Sequence, residues 1–269
     1  MRTCAAILPL LVTLATTPGS AFAQTAPADG PICTDRPTNG NSACTVPTGM
    51  VQIEADLFNW TANQANGGRV DSIAFTNPVL KYGLTDNSDL QVNWSPYVRV
   101  RSRDAAGLVA IDDGVGDVTL RYKRRLTDPA DTLQIAVLPF VKVPTAPGSI
   151  GNVKVEGGIA IPINYSVPGG WTFTLGPQFN VIADTDGSGY RTGLTGLVNV
   201  AKSLGAVTLA GELWTRQDFT SAGTIDQYSA DAAVVWLARS NLQFDIGANF
   251  GLNRNTPDVV SYLGVSTRF

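Results

Sequence analysis

From Leu242 to Asn253 apolar and polar residues alternate without a slip. Leu242, Phe244, Ile246, Ala248, Phe250 and Leu252 fall on one parity, and Gln243, Asp245, Gly247, Asn249, Gly251 and Asn253 on the other. Successive side chains of a strand point to opposite faces, so this period of two sorts the sets onto two sides of one strand. The pattern recurs from Val153 to Tyr165 and from Trp171 to Ala183, and none of the three apolar faces carries a charge. Contact with hydrocarbon explains that exclusion, because an Arg or Lys near mid-depth costs about 2–4 kcal/mol.

Twelve segments read as strands: Met50–Trp60, Val70–Leu84, Asp89–Arg101, Gly116–Arg125, Thr132–Val143, Val153–Tyr165, Trp171–Ala183, Tyr190–Ala201, Ala206–Arg216, Ile225–Leu237, Leu242–Asn253 and Asp258–Phe269. With no credible helix between them, they predict an all-β fold: a 12-stranded antiparallel up-and-down transmembrane β-barrel over 50–269, with both ends of the chain on one side. The last strand should close against the first near Met50, since an open edge would leave backbone donors unpaired in lipid. By parity Phe269 faces outward with Leu263 and Val265, while Arg268 points inward.

The predicted connections also alternate. Thr85–Ser88, Leu126–Asp131, Ser166–Gly170, Lys202–Gly205 and Ala238–Asn241 read as tight turns. Thr61–Arg69, Ser102–Val115, Pro144–Asn152, Asp184–Gly189, Gln217–Thr224 and Arg254–Pro257 read as mostly longer external loops. Trp60, Tyr82, Tyr122, Tyr165, Trp171, Tyr190, Tyr228, Trp236 and Phe269 fall near strand ends, as interfacial girdles would. Pro78, Pro96, Pro139, Pro162 and Pro177 count against the reading, because each removes a ladder donor and a closed barrel has no edge to place it on. Alternation alone does not say which face meets lipid, so a soluble sandwich or lipocalin-like barrel stands as the competing fold.

Before the strands, residues 1–23 read as a signal peptide. Arg2 supplies the positive start, Ala5–Thr16 the apolar stretch and Ala21-Phe22-Ala23 the cleavage site. Residues 24–49 are rich in Pro, Thr, Gly and Asn without periodicity, and predict an irregular N-terminal arm or plug. Cys33 and Cys44 in an exported chain predict a disulfide worth about 2–3 kcal/mol; free thiols or a metal site are the alternatives.

Without the signal the chain holds 18 basic and 22 acidic residues, a balance that excludes nucleic acid as partner. There is no histidine, which removes the usual general base, the Ser-His-Asp arrangement and the common zinc sets. The expectation is no enzyme, no cofactor and no metal. Asp184–Gly189 resembles part of a calcium loop but has Thr195 where the twelfth-position Glu belongs, and Asp112–Asp117 is similarly ambiguous; both read as Asp/Gly turns.

The lumen-facing parity gathers Glu54, Asp56, Arg99, Arg101, Arg121, Lys123, Lys142, Lys154, Glu156, Arg191 and Glu212, with Asp231 and Asp245. These predict either a salt-bridged filling of a narrow barrel or a charged solute path. If the fifth and sixth predicted strands turn around Gly148, Lys142 and Lys154 lie opposite one another and need Glu156 or an anionic solute between them. Phe58, Tyr97, Leu138, Phe140, Ile182, Leu197, Trp214 and Val235 share the inward parity, with Phe140 and Trp214 as the candidate constriction.

Thr34-Asp35-Arg36-Pro37, Lys81-Tyr82-Gly83-Leu84-Thr85-Asp86, Gly114-Val115-Gly116-Asp117-Val118 and Leu138-Pro139-Phe140-Val141-Lys142-Val143-Pro144 resemble an outer-membrane family associated with the meta-pathway of phenol degradation. The resemblance covers about Thr34 to Phe269 and implies a bacterial outer-membrane barrel passing solutes, with aromatic compounds as one class. It supplies no catalytic or ligand residues. The expected partners are outer-membrane lipid, the barrel-assembly and periplasmic chaperone machinery, and a small solute. The expected function is a passive channel or transporter; the alternative is a structural or adhesion barrel with a closed lumen and binding loops.

Overall fold

The computed structural model describes residues 30–184 and 189–269. The predicted signal segment and four residues of the Asp184–Gly189 turn lie outside them. The strands are β1 (Val51–Ala65), β2 (Gly68–Phe75), β3 (Asn77–Thr85), β4 (Ser88–Asn93), β5 (Tyr97–Arg103), β6 (Val109–Gly114), β7 (Val118–Arg125), β8 (Leu133–Val143) and β9 (Glu156–Ala160). They continue as β10 (Ile163–Val167), β11 (Trp171–Leu175), β12 (Gln178–Ala183), β13 (Tyr190–Leu204), β14 (Val207–Thr220), β15 (Gly223–Arg239), β16 (Leu242–Gly251) and β17 (Val259–Arg268). Where β2 and β3, β4 and β5, β6 and β7, β9 and β10, and β11 and β12 run on from one another they form single barrel strands, so the ring is 12-stranded and antiparallel throughout.

Closure occurs where the last residue predicts it. Gln52 to Ala62 of β1 pairs with Val259 to Arg268 of β17, and Val51 and Phe269 exchange both backbone hydrogen bonds, at 3.1 and 2.8 Å. This seam leaves no open edge between the first and last strands, which is what a bilayer requires. Phe269 projects outward and Arg268 is buried inside, where its guanidinium donates to the Gly30 carbonyl at 2.6 Å.

Three of the five prolines are resolved by interruptions, while Pro78 and Pro139 lie within β3 and β8. Pro96, Pro162 and Pro177 sit in the gaps between β4 and β5, β9 and β10, and β11 and β12. The ladder is carried across by neighbouring amides: Ile161 N–H donates to the Pro177 carbonyl at 2.9 Å and Ala136 N–H to the Pro162 carbonyl at 3.0 Å.

Loop lengths depart from expectation. The stretches predicted as the external loops Thr61–Arg69, Ser102–Val115 and Gln217–Thr224 are mostly strand. β1 and β2 meet at a two-residue turn, Asn66-Gly67, with φ of 52° and 79°. Both values are left-handed, the geometry that favours Asn-Gly in tight hairpins. β6 pairs with β5, and β14 and β15 meet through Ser221 and Ala222.

Burial is inverted relative to a soluble protein, and that decides between lipid and core. Lys123 and Glu54 are 1% exposed, whereas Ile246 is 57% and Leu213 63% exposed. The apolar parity faces out and the polar parity faces the lumen, so the soluble alternatives fall away. Tyr82, Tyr122, Tyr165, Trp171, Trp236 and Phe269 ring the outside at the end where Val51 meets Phe269 (the terminal end), while Tyr190 and Tyr228 lie toward the far end.

Candidate lumen site

The segment from Gly30 to Gly49 runs inside the terminal end of the barrel, bonded to strands around the ring. Cys33 and Cys44 are joined in a disulfide across a Cα separation of 6.4 Å. At its start Ile32 N–H donates to the Ser240 carbonyl at 2.6 Å. At its end Gly49 N–H donates to the Gly83 carbonyl at 2.9 Å, and Gly83 N–H to Met50 at 3.0 Å. Gly83 has to be glycine here, because a Cβ would run into the Pro47 carbonyl.

Two adjacent residues anchor this segment with opposite charges. The Asp35 carboxylate accepts from Lys81 Nζ of β3 at 2.5 Å, from Lys123 Nζ of β7 at 2.6 Å and from the Ser42 amide at 2.8 Å. Lys81 also reaches Glu54 at 2.5 Å, and Glu54 accepts the Asp35 amide at 3.0 Å. Burial alone would raise the Asp35 pKa, but the Lys123 and Lys81 ammoniums outweigh it and hold this carboxyl well below the ordinary range. Arg36 donates to Asp56 of β1 at 2.5 Å and to Asp245 of β16 at 2.7 Å, and lies over the Tyr262 ring at 5.8 Å. Burial would lower its pKa; the hydrogen bonds to Asp245 and the charge of Asp56 drive it upward instead. A side chain at Gly264 would collide with this guanidinium, which explains the glycine on β17. Further along, Asn39 donates its amide to Glu212 at 3.0 Å and its side chain to Asp231 at 2.8 Å.

Above this segment the lumen holds a cavity of about 490 Å³. Glu54, Asp56, Arg121, Phe140, Lys142 and Glu156, all predicted for the solute path, line it together with Asp35, Arg36, Arg216 and Tyr262. Lys142 pairs with Glu156 across β8 and β9, with 2.9 Å between Nζ and Oε2. Trp214 lines a smaller cavity of about 180 Å³ beside Leu197 and Arg216, away from Phe140, so the two aromatics do not form one constriction. Arg191 sits toward the far end, 3.6 Å from both Asp184 and Asp218.

Five residues predicted to face the lumen are elsewhere. Lys154 lies outside any strand with its ammonium 5.4 Å from the centre of the Tyr190 ring, and the facing residue of Lys142 is Glu156, so the expected like-charge pair does not exist. Arg99 and Arg101 share the parity of Tyr97, whose ring contacts Phe75, which in turn contacts Phe58 on the outer wall. Phe58 and Tyr97 are thus also outside. A bulge between Asp56 and Phe58 and the break at 94–96 before β5 each shift the alternation by one residue, which turns every later side chain to the other face.

The network picks out residues that charge parity alone does not single out: Asp35, Arg36, Asn39, Lys81 and Asp89, the last accepting the Val46 amide at 3.0 Å. For Asp35, Arg36 and Lys81 the signal was the motifs. Asp35-Arg36 is the double anchor, Lys81-Tyr82-Gly83 holds an anchor lysine and the close-approach glycine, and Asp117 takes the amides of Thr145, Ala146 and Asn152 to fold the 144–155 connection.

The family model described as "Putative MetA-pathway of phenol degradation" matches residues 34–269. The chain belongs to this family. Among solved structures the fold is similar to the COG4313 outer membrane channel from Pseudomonas putida F1, at a TM-score of 0.69 and 15% identity, covering 87% of this chain and 100% of that one. It is also similar to the beta domain of the Bordetella autotransporter BrkA, at a TM-score of 0.50 and 11% identity, covering 82% and 100%. A search of curated proteins finds no match. The family member described here is a β-barrel of the bacterial outer membrane, in contact with its lipid. Among the described residues no group of three or more His, Cys, Asp or Glu could hold a metal ion.

Proposed function

We propose that this barrel is a passive channel for small solutes, narrowed at its terminal end by the segment 30–49. The observation that carries the reading is the charged cavity of about 490 Å³ directly above that segment. Its acids and bases are largely paired, but Arg121 makes no ion pair within 4 Å among the described residues. A half-buried cation with spare hydrogen-bonding capacity favours an anionic solute, and Phe140, Leu138 and Tyr262 in the same cavity supply aromatic and apolar surface. Small aromatic acids therefore suit the cavity, in keeping with the phenol-degradation association of the family. Delivery to the membrane would use periplasmic chaperones and the barrel-assembly machinery, as for other such barrels.

The competing reading, an adhesion or structural barrel, needs binding loops. The two-residue turns at Asn66-Gly67 and Ser221-Ala222 give it little material. Flux into proteoliposomes tests the proposal. Entry of benzoate-sized acids, reduced by Arg121→Gln and altered by Phe140→Ala, is expected; no conductance and no flux for any acid or sugar would leave the closed barrel.

A further inference from the structure

The arginines that leave the lumen gather on the outer wall. Register aligns Trp60 of β1 with Ile73 of β2 and Arg99 of β5, then Asp71 with Arg101, then Arg69 with Arg103. Paired residues share a face, and Phe58, Phe75 and Tyr97 fix that face as the outward one. At about 3.3 Å per residue, Arg99, Arg101 and Arg103 climb from the aromatic row toward the far end of the barrel. All three are exposed.

Among the described residues, only Arg69 of the four guanidiniums has an ion pair within 4 Å, to Asp71 at 2.7 Å. Arg69 also lies over the Trp60 ring at 6.0 Å, and the Trp60 indole N–H donates to Asp71 at 3.2 Å. With Asp71 and Asp113 on the same face and Asp258 beside Arg69, four positive charges meet three negative ones, so the strip is net positive by one. Beside Arg69 and Arg103 a cleft of about 190 Å³ opens against the backbone of the Asn66-Gly67 turn.

Barrels of this kind carry their termini at the periplasmic side, which sets this strip at the outer leaflet. An Arg that far along the wall meets lipid headgroups instead of hydrocarbon, and guanidinium matches phosphate oxygens in a bidentate fork. We propose that the strip of Arg69, Arg99, Arg101 and Arg103 is a binding site for the phosphate groups of the outer-leaflet glycolipid, lipid A. Trp60 and the aromatic row below it border the acyl chains, and the cleft takes one phosphate. The site is independent of whether solutes cross the lumen.

Native mass spectrometry of the detergent-solubilised full chain, titrated with diphosphoryl lipid A and with lipid A stripped of both phosphates, tests this. Wild type is expected to bind the phosphorylated form at least about tenfold more tightly, and R99Q/R101Q/R103Q to lose that preference while heat-modifiable gel migration reports a folded barrel. Equal binding of the two lipids by wild type, or an unchanged preference in the folded variant, would overturn the proposal. Should the triple variant not fold, R101Q alone is expected to lose part of the preference, and an R101Q protein indistinguishable from wild type overturns it equally.

Discussion

Asp35, on the irregular N-terminal segment, accepts from Lys123 of β7 at 2.6 Å, deep inside the barrel. The same carboxylate takes Lys81 of β3, so one side chain ties the segment to two separate strands. Removing one partner of a buried pair leaves an uncompensated charge, which costs about 3–5 kcal/mol. Asp35→Asn should therefore lower the thermal unfolding midpoint clearly and raise single-channel conductance as the segment loosens. Calorimetry in detergent and planar-bilayer recording read the two effects.

The pH dependence has a definite sign. The folded-state pKa of Asp35 is depressed by the two ammoniums, so its stabilisation is present above the unfolded-state value of about 4 and is lost as pH falls toward the folded-state value. The stability gap between wild type and Asp35→Asn should stay constant from about pH 7 to 5 and narrow below about pH 4. A gap that closes between pH 7 and 6 would show that another group governs the docking.

The Cys33–Cys44 disulfide limits how far the segment can spread. Its double serine variant should lose about 2–3 kcal/mol of stability, and dithiothreitol added to wild-type channels should reproduce any rise in conductance the variant shows.

Lys142 and Glu156 form the paired wall of the cavity. Glu156→Gln frees the lysine charge beside Arg121 and should shift the reversal potential under a salt gradient toward anions. The stability change should be under about 1 kcal/mol, since Lys142 is partly exposed.

The inward side of β16 was legible because Leu242 to Gly251 never breaks its period of two, and closure because an open edge has no place in lipid. The same counting put Phe58 on the wrong wall. The adjacent bulky pair Leu57-Phe58, both outward, was the visible sign of a bulge, and Pro96 marked the break that turns Tyr97, Arg99 and Arg101 outward. Asn66-Gly67 likewise announced a tight hairpin within what read as a loop. The anchors escaped periodicity altogether. Asp35 and Arg36 lie in a segment with no period, and their partners Lys81, Lys123 and Asp245 are brought together only by closure of the ring.

The most direct measurement compares single-channel conductance in planar bilayers of the wild-type barrel and of a barrel lacking residues 30–49, each confirmed folded by heat-modifiable migration. The account predicts a small wild-type conductance that rises several-fold on deletion, because the segment fills the terminal end of the lumen. Equal conductance in the two proteins would contradict it.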